Sequence, residues 1–332
     1  MGRLVDGQWV SDNFVRKNKV FQRATAGCRD SIGDARFAPE SGRYHLYVSL
    51  ACPWAHRTLI VRQLKGLTPH IGVSVVSPLM GGDGWTFTPD FEGSTRDSVN
   101  GHALLRDVYT THDSTFSGRV SVPILLDTTT NTIVNNESSE VIRQMDTQFG
   151  ELADGDISLR PASRVDAIDA VNDRVYNDLN NGVYKCGFAG SQAAYDSAVA
   201  ALFATLDWLE QRLGQTRYVA GDRLTEADVR LFTTLVRFDA VYAFHFRCNL
   251  RLLRDYSNLS NYVRELYSVP AFRDTTDFLH IRHHYYRSHE TIHPSRIVPV
   301  GPAIDLDAGH NRSRFGGLAP ISSARESNFL KD

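Results

Sequence analysis

The sequence predicts an α/β half followed by an all-helical half, on three observations. Two β-rich stretches, Tyr44–Ser49 and Ile71–Val76, flank a stretch of helical spacing from Trp54 to Lys65. A second β-rich pair, at 122–127 and 132–134, runs into helical spacing that starts near Ser138. Beyond Gly150 the strand signals fade and helical periodicity alone remains. A chain of 332 residues is long enough for two domains of ordinary size.

Each element follows from local chemistry. Residues 1–40 are rich in Arg, Gly and Asp with weak periodicity, and are expected to be an irregular extension. Tyr44-His-Leu-Tyr-Val-Ser49 alternates and is β-rich, so it reads as a strand. The helix after it carries Leu59, Ile60 and Leu64 on one face and stops at Gly66, a residue suited to a helix end. With Ile71–Val76 this makes a βαβ unit, which implies parallel strands. Residues 77–118, with Gly81-Gly-Asp-Gly84 and Trp85, read as a long irregular insertion of the functional kind. The pair around Thr128–Asn131 reads as a hairpin. The order βαβ, insertion, ββα is that of a thioredoxin-like domain, placed at 41–150.

Helical stretches near 161–180, 192–213, 225–245 and 256–268 form the second domain, placed at 151–300. Its clearest helix start is Leu224-Thr-Glu-Ala-Asp228, where Asp228 can return a bond to the N–H of the capping Thr225. The stretch 301–332 is expected to be a tail wrapping the surface.

Lys+Arg 36 against Asp+Glu 38 gives a net charge of −2, which excludes the cationic surface that a nucleic-acid scaffold or polybasic membrane binder needs. No run of apolar residues is long enough to span a bilayer and the first residues lack an apolar leader core, so a cytosolic protein is expected. The four cysteines, Cys28, Cys52, Cys186 and Cys248, have neither metal spacing nor disulfide-framework density.

Cys52 lies between a strand and a helix start, in Cys52-Pro53-Trp54-Ala55. Pro53 suits a first helical turn, where its missing N–H is not needed. The free N–H groups of that turn favour an anion, so the thiol pKa is expected to be lowered. Ala55 occupies the place of a resolving cysteine, so a mixed disulfide on Cys52 must be released by an external thiol. The other three cysteines read as structural.

At this point the sequence resembles a known family. Tyr47-Val-Ser-Leu-Ala-Cys-Pro-Trp-Ala-His-Arg57 is similar to the glutathionyl-hydroquinone reductases, the Xi class of the glutathione transferase family. The likeness recurs at Asn135-Asn-Glu-Ser-Ser-Glu140, Asn181-Gly-Val-Tyr-Lys-Cys-Gly-Phe188, Phe238-Asp-Ala-Val-Tyr242, His245-Phe-Arg-Cys-Asn249 and His284-Tyr-Tyr286. The resemblance implies a thioredoxin-like N-terminal domain, an all-α glutathione transferase C-terminal domain and a homodimer. It implies glutathione as co-substrate, no permanently bound cofactor, and a reaction in which a glutathionyl-hydroquinone and glutathione give hydroquinone and oxidised glutathione. A general thiol transferase or dehydroascorbate reductase using the same Cys52, and a non-catalytic glutathione-binding protein, are the alternative readings.

Carried over residue by residue, the resemblance makes Cys52 the nucleophile and places Tyr184, Tyr242 and Tyr285 at the quinol, with the choice between Tyr285 and Tyr286 left open. It makes Val122-Pro123 a cis-proline step whose Val122 backbone pairs with the tripeptide. Glu137 takes the ammonium of the γ-glutamyl end and Ser138 its carboxylate, while Trp85 and Arg119 line the glycyl side. His289-Glu-Thr-Ile-His293 fits a zinc-binding pattern, but Pro294 follows at once, so its second histidine falls at or past any helix end and no metal is expected.

Overall fold

The computed structural model describes residues 2–11, 16–17, 20–153 and 157–317. The α/β half is built on a four-stranded sheet of order β6-β5-β8-β9, formed by β5 (Tyr44–Val48), β6 (Ile71–Val75), β8 (Ile124–Asp127) and β9 (Thr132–Asn135). β5 and β6 are parallel, with Tyr44 opposite Ile71, and β8 runs antiparallel to both β5 and β9. The βαβ unit and the hairpin are therefore as the periodicity indicates. Arg43 pins one end of the sheet by a two-bonded grip on Asp127, with Nε–Oδ1 at 3.0 Å and Nη2–Oδ2 at 2.7 Å.

Two elements depart from the expected pattern. The extension is not irregular throughout: β1 (Gly2–Val5) and β2 (Gln8–Ser11) make an antiparallel hairpin, and β1 also pairs with β7 (Gly118–Arg119). Four-residue strands with one exposed edge need little hydrophobic alternation, so periodicity is silent on them. A two-residue ribbon follows, of β3 (Arg16–Lys17) and β4 (Val20–Phe21). Inside the insertion, α2 (Leu105–His112) buries Leu105, Val108 and Tyr109 on one face, a pattern only two turns long and hidden among glycines.

α1 (Pro53–Leu64) is buried on nearly every side, packed against residues 138–147 of its own half and against the helical half. It ends where Gly66 adopts φ +65°. Its buried polar residues must find partners inside: Arg62 Nε donates to the Ile71 carbonyl at 2.7 Å and Thr58 Oγ1 to that of Ala55 at 2.7 Å. α3 (Ser138–Thr147) completes this half, capped by Glu137, whose carboxylate accepts from the Ser139 N–H at 3.0 Å.

The second half is helical: α4 (Val165–Val175), α5 (Gly182–Gly187), α6 (Gln192–Leu213), α7 (Glu226–Leu235), α8 (Ala243–His245), α9 (Ser257–Tyr267), α10 (Pro270–Arg273) and α11 (Phe278–Ser288). Two wide π turns, Tyr176–Asn180 and Phe238–Tyr242, interrupt it. Such turns insert one residue and re-aim the side chains in and after them; Tyr242 ends the second turn and Tyr184 follows the first. Among the described residues, no helix is long and apolar enough to cross a membrane. The tail docks through Arg312, which is fully buried and donates to the carbonyls of Leu213 at 2.9 Å and Arg217 at 2.7 Å; residues 318–332 of the expected tail lie outside the described residues.

The cap of α7 is a folding anchor, as its sequence indicates. Asp228 accepts from the N–H groups of Thr225 (2.8 Å) and Val219 (3.0 Å), the Thr225 hydroxyl (3.0 Å) and the Tyr262 hydroxyl (2.7 Å). Replacing it by Ala strands several buried donors at once. Asp228→Ala is therefore expected to cost about 3 kcal/mol or more of stability, read as a lower midpoint in urea unfolding; an unchanged midpoint would contradict the anchoring role.

Candidate active site

The loop Ser49–Cys52 leaves β5 and turns directly into α1, with Cys52 at the helix N-cap (φ −77°, ψ 121°) and Pro53 in the first turn. The thiol donates to the carbonyl of Val122, Sγ–O 3.7 Å, and the Val122-Pro123 peptide is cis. The loop is held from the other half. Arg237, fully buried just past α7, donates Nε to the Ala51 carbonyl (3.0 Å) and Nη2 to that of Leu50 (3.0 Å). Its Nη1 donates to the Thr233 carbonyl (2.8 Å) and to Nδ1 of His56 (2.9 Å). Since the guanidinium can only donate, His56 accepts at Nδ1 and carries its proton on Nε2, 2.9 Å from Thr275 Oγ1. Burial and the Arg237 charge both push His56 far below its usual range, so it is neutral.

Cys52 touches a cavity of about 1020 Å³ but is otherwise enclosed. Enclosure is the largest influence on its thiol and pushes the pKa up from the ordinary 9.0. The N–H groups of Ala55 and Trp54 pull it down, as do the charges of Arg237 and Arg23. The helix-end effect expected from the sequence is thus present, but the net direction is opposite to the lowering expected. Desolvation of a thiolate in a protein interior outweighs two N–H contacts and two cations.

The cavity runs along the seam between the halves. Cys52, Trp85, Arg119, Val122, Glu137, Ser138, Tyr184 and Tyr285 all line it. Trp85 stacks on His284, with ring centroids 4.9 Å apart. Arg119 sits on β7 with Nη1 3.4 Å from the Gly2 carbonyl, so the hairpin β1–β2 forms part of the same wall. Glu137 and Ser138 lie at the N-terminus of α3.

A cluster of phenols borders the same cavity. The hydroxyls of Tyr184 and Tyr285 are 2.7 Å apart, and that of Tyr242 is 3.0 Å from Tyr285. Tyr242 is fully buried and stands one row behind the wall. The two tyrosines left open by sequence lie in different places: Tyr285 lines the cavity and Tyr286 does not. Tyr285 joins the cluster, whereas the Tyr286 hydroxyl is buried and, among the described residues, without a partner, and its ring packs on His245 and His293. Burial raises all three phenols above the ordinary 10.0, so they stand as neutral O–H groups at physiological pH.

Several residues at the site are given no role there by the sequence reading. Arg57, five positions after Cys52, is buried with Nη2 2.9 Å from Asn180 Oδ1 and Nη1 3.4 Å from Ser138 Oγ. Burial, and then the neighbouring Arg230, bring its pKa down to about 9. It places positive charge behind the start of α3. Arg23 reaches over the indole of Trp54 at 4.4 Å and donates to Asn181 Oδ1 at 2.8 Å. His284 and His289 line the cavity beside Tyr285. The two histidines of the apparent zinc pattern both follow the last residue of α11: His289 turns into the cavity, whereas His293 bonds the Ile297 carbonyl at 2.9 Å.

A thiol enclosed in this way titrates late. Iodoacetamide labelling of Cys52 is expected to accelerate with rising pH, since only the thiolate reacts, with its midpoint above 9.0. In Arg237→Gln the midpoint moves higher still, because a cation that favours the thiolate is gone. A wild-type midpoint below that of a free thiol would contradict this balance.

Comparisons with known proteins agree with the architecture. The model of the glutathione S-transferase N-terminal domain matches residues 51–148 and that of the C-terminal domain residues 192–265. The chain is 49% identical, over 95% of its length and 100% of the relative's, to glutathionyl-hydroquinone reductase YqjG of Escherichia coli (strain K12). It is 49% identical to glutathionyl-hydroquinone reductase PcpF of Sphingobium chlorophenolicum, over 92% of this chain and 98% of that one. Among solved structures, an Xi-class enzyme from Natrialba magadii superposes with TM-score 0.90 at 48% identity, covering 96% of this chain and 98% of that one. The glutathione-bound structure of YqjG gives 0.87 at 48% identity, covering 93% and 99%.

Proposed function

The chain belongs to the Xi class of the glutathione S-transferase family, with the glutathionyl-hydroquinone reductases, and from that membership we propose that it reduces glutathionyl-hydroquinones to hydroquinones through Cys52. The observation that carries the mechanism is the shared cavity: the Cys52 thiol and the Tyr184–Tyr285 hydroxyl pair face one space, on opposite sides of the domain seam.

The thiolate of Cys52 attacks the glutathionyl sulfur. A sulfur–sulfur bond forms, the sulfur–carbon bond breaks, and its electron pair leaves with the ring carbon, which takes up a proton to give the hydroquinone. The phenol cluster holds a ring oxygen and is the proton source, a task for neutral O–H groups. Tyr242 acts through Tyr285, which it orients by its hydrogen bond. With Ala55 in place of a resolving cysteine, a second glutathione attacks the mixed disulfide, releasing oxidised glutathione and restoring Cys52.

Glutathione as co-substrate lies along the thioredoxin-like half, with no permanently bound cofactor. The backbone of Val122 pairs with its cysteinyl unit, and Glu137 takes the ammonium. Ser138 and the start of α3 take the γ-glutamyl carboxylate, with the Arg57 charge behind them. Trp85 and Arg119 line the glycyl end. The working form is a homodimer in the cytosol, where a reduced thiol pool supplies the second glutathione.

Turnover with a glutathionyl-hydroquinone and excess glutathione, followed by chromatography of the released hydroquinone, tests this reading. Cys52→Ala is expected to abolish release. Tyr285→Phe and Tyr184→Phe each lower kcat by roughly ten- to a hundredfold, with a smaller effect on reduction of a simple disulfide. Equal losses on both substrates would favour a general thiol transferase, and full activity in Cys52→Ala would refute the cysteine mechanism.

A further inference from the structure

Behind the phenol cluster, two imidazoles share one hydrogen bond. His245 Nε2 and His289 Nδ1 are 3.0 Å apart with their rings stacked obliquely, interplanar angle 22°. Nδ1 of His245 is buried and, among the described residues, has no partner. That orphan decides which ring gives the shared proton. If His289 gave it, His245 would hold its own proton on Nδ1, a buried N–H with nothing to bond, which proteins rarely tolerate. If His245 gives it, the orphan is a bare lone pair, which is less costly. His245 therefore donates from Nε2, and His289, accepting at Nδ1, carries its proton on Nε2.

His289 forms part of the cavity wall, and among the described residues its Nε2 has no partner and is not sealed off. Its ring lies 5.5 Å from that of Tyr285 and is flanked by Phe188 at 5.3 Å and Phe246 at 5.9 Å. A hydroquinone has two ring oxygens, and the tyrosine cluster serves one. We propose that His289 presents its Nε2–H to the second ring oxygen and so selects dihydroxy-arene leaving groups, with His245 as the positioning residue that fixes its tautomer. Two further features support this. Burial and the neighbouring His284 and His245 hold His289 far below its usual pKa, so it is a neutral donor at working pH. The flanking aromatic rings lower the local polarity, which strengthens a directed hydrogen bond. Gly187 contributes to the packing, since a Cβ there would overlap the Phe246 ring beside His289.

The inference rests on the quinol reading of the cavity, and its test separates the two. The full chain, labelled with 15N-histidine, reports the tautomer of His289 by NMR whatever the substrate, with the resonance assigned by its absence in His289→Gln. The expected result is the Nε2–H form in the wild type, and loss of that single form in His245→Phe; an Nδ1–H form in the wild type would overturn the proposal. Kinetically, the ratio of kcat/KM for a glutathionyl-hydroquinone to that for a simple disulfide is expected to fall roughly thirtyfold in His289→Phe and to recover in part in His289→Gln, which restores an N–H donor. An unchanged ratio, from equal losses or from none, would overturn it. A wild type that reduces the disulfide but not the hydroquinone thioether would instead refute the quinol reading, leaving the tautomer result to stand or fall alone.

Discussion

The Arg237 clamp is the interaction on which the site depends. A cation from the helical half is sunk in the interior and spends its donors on the carbonyls of Leu50, Ala51 and Thr233 and on one neutral imidazole. Among the described residues it has no ion pair with a carboxylate. Burying an arginine this way is costly unless every donor is satisfied, and here the partners are the backbone of the loop that delivers Cys52. Removing the clamp would unpin that loop, break the contact through His56 to Thr275, and withdraw the charge felt by Cys52, Tyr242 and Tyr285. The halves are therefore joined at the chemistry itself.

That arrangement accounts for the division of labour across the seam. In the proposed mechanism the α/β half supplies the nucleophile Cys52, its cis-proline neighbour and the start of α3, a set suited to a peptide-like thiol. The helical half supplies phenols that burial keeps protonated and imidazoles that burial keeps neutral. Enclosure has opposite effects on the two sides: it keeps the phenols protonated, and it disfavours the thiolate of Cys52. Arg237 and Arg23 limit that penalty without removing it.

Much of this was legible from the sequence, and the failures have physical causes. The strands, α1, the hairpin and the capping of α7 follow from periodicity and local hydrogen bonding. α2 and the β1–β2 hairpin escaped because each is short and stabilised by neighbours distant in sequence, β1 by β7 and α2 by the hairpin strand β9. Cys52 stood out because strand, cysteine, proline and helix are contiguous. Its net pKa direction did not, since desolvation depends on what folds over the sulfur. Arg57, Arg237 and His289 are single residues of ordinary type, and only the folded chain shows that they are buried at the site.

The most direct test of the central claim is a single-turnover experiment without free glutathione. The enzyme is mixed with one equivalent of a glutathionyl-hydroquinone, and both the released hydroquinone and the intact protein mass are followed. A nucleophilic Cys52 predicts stoichiometric hydroquinone release together with one glutathione attached to Cys52 in disulfide linkage, discharged when glutathione is added. No release and no adduct until free glutathione is supplied would contradict it, and would mean that the free thiol attacks the substrate directly.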